Sequence, residues 1–241
     1  MIRFVLIHGA WHTGEHLAPV IQHLEELGNS AVAPTLIGRG ATAGQKVTHE
    51  MLVRGAVEFI ANHNLSDFVL VGHSFGGSII ARLAEEIPDR IRRLVFWNGF
   101  VPNAGESVND CLPPQYRAMF QQTAAASTDH STMLPYPVWR EIFINDADEA
   151  LARSSYASLC PEPFQPGLDA LDLTRFYKTS IAKSYLNATE DNSLPPGEWG
   201  WHPRMSGRLG LYRLVQMSGS HEVLFTNPEG VAKKLVEAGR D

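Results

Sequence analysis

Cysteine is scarce, with Cys111 and Cys160 the only two in 241 residues. They lie far apart and in no metal-ligand spacing, so neither a disulfide framework nor a structural metal site is expected, and both read as reduced, incidental thiols. The chain also lacks blocks of like charge. Its formal −6 is dispersed, which leaves no basic groove for nucleic acid and no polybasic patch for a membrane surface. No apolar run is long enough to span a bilayer. The opening Met1-Ile2-Arg3-Phe4-Val5-Leu6-Ile7 passes directly into His8-Gly9 with no signal-peptide cleavage site, so a cytoplasmic protein is expected. Repeats and low-complexity tracts are missing too. Small molecules are the expected partners, and the composition leaves a homodimer open.

What is present is a chain 44% hydrophobic and 19% charged, enough for one large core with an insertion. Apolar runs at 4–7, 31–33, 68–71, 91–97, 181–186 and 211–216 read as six strands. Periodic segments at 16–28, 48–63 and 228–238, and the spacing Ile79, Ile80, Leu83, Ala84, Ile87, read as helices. This alternation predicts an α/β protein with a mainly parallel six-stranded sheet, helices on both faces and ligands at the carboxyl ends of the strands. Residues 1–100 and 180–241 supply that core. Residues 101–179 break the pattern with proline clusters and large apolar groups, among them Met119, Phe120, Trp139, Phe143, Tyr156 and Phe164. A structureless loop of that length is improbable in a compact domain, so a mostly helical cap inserted after the fourth strand is expected.

The most informative stretch is Gly72-His73-Ser74-Phe75-Gly76-Gly77, between a buried strand and a helix. In a G-x-S-x-G elbow the serine sits on a strained turn, and the flanking glycines let neighbouring backbone come close. Ser74 is therefore the expected nucleophile. A serine hydroxyl needs a general base, and the base needs an acceptor that fixes its tautomer. Of ten histidines, His221 is best placed, directly after the last strand in Ser218-Gly219-Ser220-His221-Glu222. The acid should fall between serine and histidine in the chain, after a strand. Asp191 is preferred to Glu190 there because the loop has turned by that point and the shorter side chain suits Nδ1 of His221. Asn98 occupies a position an acid takes in a variant arrangement, but an amide stabilises imidazolium poorly. Asp169 and Asp172 read as helix-start residues. The backbone N–H groups of Ala10 and Phe75 are the expected oxyanion donors. His8 and His73 read as loop-shaping residues. His12 is placed either in the pocket against substrate or on an exposed loop. Trp11, Trp97, Trp139 and Phe143 are further candidates for substrate contact, set against the plainer reading of aromatics as core.

With His8-Gly9-Ala10-Trp11-His12, the elbow, Phe100-Val101-Pro102, Asp191 and Gly219-Ser220-His221 in hand, the chain resembles an α/β-hydrolase over nearly its full length. Within that superfamily it is similar to the small methylesterase and hydroxynitrile lyase group. The resemblance implies Ser74 as nucleophile, His221 as base, Asp191 as acid, and an oxyanion hole at Ala10 and Phe75. Lyases of that group carry a lysine directly after the histidine, where this chain has Glu222, so the esterase branch is favoured. Motif spacing is also similar to bacterial esterases that cleave the methyl carbamate of carbendazim. The implied activity is hydrolysis of a small, flat, aromatic methyl ester or carbamate through an acyl- or carbamoyl-enzyme, with no cofactor or metal required. Two other readings stay open: a cofactor-free oxygenase or lyase on the same fold, and a hydrolase-fold receptor for a small ligand.

Overall fold

The computed structural model describes residues 1–241. Six strands, β1 (Arg3–Ile7), β2 (Ser30–Val32), β3 (Phe68–His73), β4 (Ile91–Trp97), β5 (Ala182–Ala188) and β6 (Arg213–Met217), form one parallel sheet in the order β2-β1-β3-β4-β5-β6. Side-chain alternation on the central strands feeds two separate cores. Val5, Ile7, Phe68 and Leu70 pack on the side of α2 (His49–Asn62) and α3 (Gly76–Glu86). Phe4, Leu6, Val69 and Val71 pack on the opposite side, with α1 (Ala18–Glu26) and the closing helix, α6 (Pro228–Gly239). Strands buried on both faces require the unbroken apolar runs seen in the sequence.

The chain leaves β1 toward one edge and returns on the other side of β1 as β3, so the strand order reverses between them. At such a switch point the loops after two adjacent strands diverge and leave a crevice. Here it brings the loop after Ile7 beside the elbow after His73. Two boundaries differ usefully from the sequence expectation. The first helix begins as a tight 3₁₀ turn at Gly14–Leu17, and Gly28, with φ of 77°, follows its end. Strand β5 continues to Ala188 because Asn187 and Ala188 still pair with Gln216 and Met217 of β6, which carries the chain to the rim where Asp191 stands.

The segment 101–179 contains α4 (Pro114–Ala126), a wide helical turn at Trp139–Phe143, α5 (Glu149–Ser158), and a two-residue ladder joining Ser131–Thr132 to Glu162–Pro163. Phe120, Leu134, Trp139, Phe143, Ile144 and Ala152 form a small core of their own with Trp11. The ends of the segment behave differently. Val101, Val108, Leu171, Leu173 and Phe176 belong to the main core on the α3 side, so the separate apolar cluster is confined to the middle of the insertion. Asp169 does not open a helix of its own. Its Oδ2 accepts the His49 N–H at 2.7 Å, capping α2 from across the fold.

The start of α3 is packed against backbone. A Cβ at Gly76 would stand 2.5 Å from the Ile7 carbonyl oxygen, and one at Gly72 would stand 2.5 Å from the Gly76 carbonyl oxygen. Main-chain atoms at that distance cannot yield as a flexible side chain would. Gly76→Ala is therefore expected to destabilise the protein by about 3 kcal/mol or more, measured as a fall in the urea midpoint at unchanged m-value. A midpoint matching the parent would mean that α3 has slack against β1.

Candidate active site

Ser74 has φ of 53°, a left-handed conformation that an ordinary residue adopts only when its surroundings impose it. The surroundings do so. The Ser74 N–H donates to the Trp97 carbonyl at 3.1 Å, and its carbonyl accepts from the Gly77 and Phe100 N–H groups, each at 3.0 Å. The hydroxyl is thereby held at the floor of a cavity of ≈ 680 Å³, part of it open to solvent, which His221 also lines.

His221 is buried and its Nδ1–H donates to Asp191 Oδ2 at 2.6 Å. That bond fixes the tautomer and leaves Nε2 as the acceptor on the cavity side. Burial by itself would lower the His221 pKa, but the Asp191 carboxylate and, more weakly, Glu222 reverse the direction and raise it above the ordinary 6.5. Phe143 meets the ring edge-on at 5.4 Å and Trp201 stacks on it at 5.3 Å. The loop is tied to the insertion through Asp146, whose Oδ2 accepts from the Ser220 N–H at 3.1 Å and the Thr226 hydroxyl at 2.8 Å.

Asp191 accepts four hydrogen bonds. Oδ2 takes His221 Nδ1–H and Asn98 Nδ2–H, both at 2.6 Å, and Oδ1 takes the Ser193 N–H at 2.8 Å and hydroxyl at 2.6 Å. Asn98 is itself fixed, because its Oδ1 accepts the Ala188 N–H at 2.6 Å. The residue after β4 thus acts on the acid rather than replacing it. Ser193 and Trp201, which donates from Nε1 to the Ser193 hydroxyl at 3.1 Å, complete this support. Sequence reasoning missed both, since neither sits in a motif.

Ala10 and Phe75 line the cavity, and neither backbone N–H finds an acceptor within the chain. Two unengaged donors at the mouths of adjacent loops are what a developing oxyanion requires. His8 and His73 lie behind them. His8 Nδ1–H donates to the Gly9 carbonyl at 2.8 Å while Nε2 accepts the Leu36 N–H at 3.0 Å. His73 Nε2–H donates to the His221 carbonyl at 3.1 Å. Burial holds both well below the usual imidazole range, so they stay neutral and act through geometry.

The aromatic candidates divide. Trp11 and Phe143 line the cavity, together with Phe100, Phe120, Phe164 and Trp201. Trp97, Trp139 and His12 do not. Trp97 is 1% exposed and packs behind His73 at 4.5 Å, because the last residue of β4 points to the α1 side of the sheet. Trp139 is fully buried in the insertion, its Nε1–H shared between the Ala152 carbonyl and the Ser155 hydroxyl. His12 is neither on an exposed loop nor in the pocket. It is 2% exposed, donates from Nδ1 to the Ala10 carbonyl at 2.6 Å, and faces Glu222 Oε2 with Nε2 at 3.0 Å. Burial opposes its protonation, but Glu222 raises its pKa overall. A second buried pair, Arg39 with Glu162, stands on the other side of the Trp11 loop, and Glu162 lines the cavity.

A parallel sheet with a strained serine at its switch point, a histidine after the last strand and a buried carboxylate behind it defines an α/β-hydrolase. The chain belongs to the alpha/beta hydrolase family, whose sequence model matches residues 4–234. It is 37% identical to the carbendazim hydrolyzing esterase of Nocardioides sp. (strain SG-4G), across 99% of this chain and all of that one. It is 24% identical to salicylic acid-binding protein 2 of Nicotiana tabacum, across 97% of this chain and 95% of that one. A solved extracellular alpha/beta-hydrolase from a Paenibacillus species, described as structurally and functionally homologous to the tobacco protein, superposes with a TM-score of 0.98 at 40% identity over the full length of both chains. No helix of the present chain is long and apolar enough to cross a membrane.

Proposed function

We propose that this chain is a serine esterase that hydrolyses small, flat, uncharged aromatic esters or carbamates with a small alcohol leaving group. It is a carboxylic ester hydrolase in class. The observation that carries the reading is the joint opening of Ser74, His221 and the unengaged N–H groups of Ala10 and Phe75 onto one cavity walled by Trp11, Phe100, Phe120, Phe143, Phe164 and Trp201. Aromatic walls favour a planar acyl group. Ser74 Oγ attacks the carbonyl carbon and passes its proton to His221 Nε2, and the resulting oxyanion lies against Ala10 and Phe75. Collapse breaks the bond to the alcohol, which leaves with the proton from His221. Water then repeats the sequence on the acyl- or carbamoyl-serine. The methyl ester and methyl carbamate preference is supported by the likeness to the carbendazim hydrolyzing esterase and to a putative methylesterase of Arabidopsis thaliana. Glu222 follows the base where cyanohydrin cleavage calls for a cation to hold cyanide, and its carboxylate faces His12 at 3.0 Å, which speaks against that reaction. Cytoplasmic location is supported by two free cysteines, although the Paenibacillus relative is described as extracellular.

The charge pattern adds a constraint. No lysine or arginine lines the cavity, and its one carboxylate, Glu162, is already paired with Arg39, so an anionic substituent would enter an apolar wall with no cation to meet it. Neutral aryl methyl esters and methyl carbamates are therefore expected to turn over at least about tenfold faster than analogues bearing an anionic acyl substituent. A substrate panel with parallel fluorophosphonate labelling of Ser74 tests both statements. Absence of label and turnover in a folded protein would overturn the esterase reading, and faster turnover of the anionic esters would overturn the charge argument.

A further inference from the structure

The loop that carries the Ala10 N–H is held in an unfavourable shape. Trp11 has φ of 63°, which a bulky side chain adopts only under constraint. The peptide between Ala10 and Trp11 is gripped at both ends by buried charged pairs. Its carbonyl accepts the Nδ1–H of His12 at 2.6 Å, and His12 is paired with Glu222. Its N–H donates at 3.1 Å to Oε2 of Glu162, which also receives Arg39 Nε–H at 2.9 Å. Arg39 Nη2 closes the fork on Oε1. The preceding peptide, which contains the Ala10 N–H, is held by His8 through the Gly9 carbonyl. All four charged residues are buried, and nothing in the chemistry of ester cleavage calls for a carboxylate at Glu162.

Resting on the esterase reading, we infer that Arg39 and Glu162 are positioning residues for the oxyanion hole. They fix the Ala10–Trp11 peptide so that the Ala10 N–H stays aimed at the developing oxyanion. The arrangement answers a specific difficulty. A free carboxylate one peptide away from the hole would repel the oxyanion, but the guanidinium fork neutralises Glu162 and leaves Oε2 as a fixed acceptor. A neutral acceptor on a flexible loop would hold the peptide less firmly, and misplacement of a donor by about 1 Å is enough to cost a large part of its effect. Glu162 comes from the insertion, through the short ladder with Thr132, and Thr132 also accepts the Trp11 indole N–H at 3.1 Å. The insertion therefore sets the donor geometry as well as roofing the cavity.

The test replaces the pair by apolar residues, Arg39→Met with Glu162→Leu, a change that buried pairs often tolerate without loss of fold. Arg39→Met with Glu162→Gln, the Gln variant, is the comparison, since its amide oxygen still accepts the Trp11 N–H and no buried guanidinium is left for its NH₂ to face. Three readouts are taken: kcat and KM on an aryl methyl ester, affinity for an aryl trifluoromethyl ketone against the matching methyl ketone, and amide exchange of the peptide covering residues 9–13. The double variant is expected to lose about 10- to 100-fold in kcat and a similar factor in trifluoromethyl ketone affinity. KM and methyl ketone affinity should stay within about twofold of the parent, exchange at 9–13 should quicken, and the Gln variant should recover a large part of the loss. If the double variant does not fold, Arg39→Met with Glu162→Met makes the same comparison against the Gln variant.

Unchanged kcat and exchange in the double variant would overturn the inference. So would a loss shared equally by the two ketones, which would make the pair an ordinary support of the pocket wall, and so would a Gln variant as impaired as the apolar one. Failure of the esterase reading looks different. The parent protein would then neither turn over esters nor bind the trifluoromethyl ketone, while exchange at 9–13 would still report whether the peptide is clamped.

Discussion

Replacing Ser74 by alanine is expected to lower kcat by about 10⁶-fold on any ester the protein cleaves, with folding unaffected. The size follows from the absence of a substitute. Of the other hydroxyls lining the cavity, Ser193 is committed to Asp191 at 2.6 Å and accepts the Trp201 indole N–H, Thr132 is buried in the ladder under Trp11, and Tyr116 is a phenol carried on α4. None is on a strained turn beside the two free N–H donors. Stability should change little, because the Ser74 hydroxyl has no hydrogen-bond partner to lose while the backbone strain at φ of 53° remains. Steady-state kinetics and a thermal melt check both halves. Residual kcat above about one part in a thousand of the parent would move the nucleophile elsewhere.

Asp191→Asn is expected to cost about 10⁴-fold in kcat and to move the acid limb of the pH profile. His221 must be neutral to accept the Ser74 proton. Since its pKa lies above 6.5, kcat/KM of the parent should decline as pH falls through a midpoint on the alkaline side of 6.5. Removing the carboxylate removes the larger of the influences that raise the pKa, so the midpoint should shift to lower pH. The catalytic loss has a structural cause beyond the missing charge. The Asn98 Nδ2–H and the Ser193 N–H point at opposite oxygens of Asp191 and are both fixed. In either orientation an asparagine sets its NH₂ against one of them. With the NH₂ turned to Asn98 the bond that orients His221 is lost or reversed, placing the proton on the nitrogen that should accept; with it turned to Ser193 the bonds that hold the acid in place are lost. A pH profile of the variant that superposes on the parent would show that Asp191 is not the partner that sets the base.

Much of this could be read from local pattern. The elbow was legible because its physics is local: a buried strand, glycines where backbone must approach, and a helix face within a dozen residues. His221 and Asp191 were legible because each follows a strand in a chain order that the parallel sheet imposes. The strand bounds were less so. The two extra residues of β5 exist because β6 offers them partners, and pairing between segments leaves no mark on periodicity.

Pocket walls were the least legible part. An aromatic residue buries a similar apolar area whether it faces a cavity or a core, so Trp97 and Trp139 read like Phe143 in the sequence. Their roles separate only when β4 assigns Trp97 to the α1 side and the Trp139 indole finds Ala152 and Ser155. The buried charges are more distant still. Arg39 and Glu162 are 123 positions apart, and His12 meets a glutamate from the far end of the chain.

By itself, then, the sequence determined the α/β-hydrolase fold, the elbow, and the choice of Ser74, His221 and Asp191 as the residues to look for at the strand ends, because periodicity, glycine sterics and strand order are properties of contiguous segments. Tertiary structure alone decided which aromatics face the cavity, what holds Asp191 in place, and which charged residues bond to the loop that carries Ala10 and Trp11. Those depend on contacts between segments remote in the chain, where burial turns an ordinary arginine or glutamate into a fixed and directional partner.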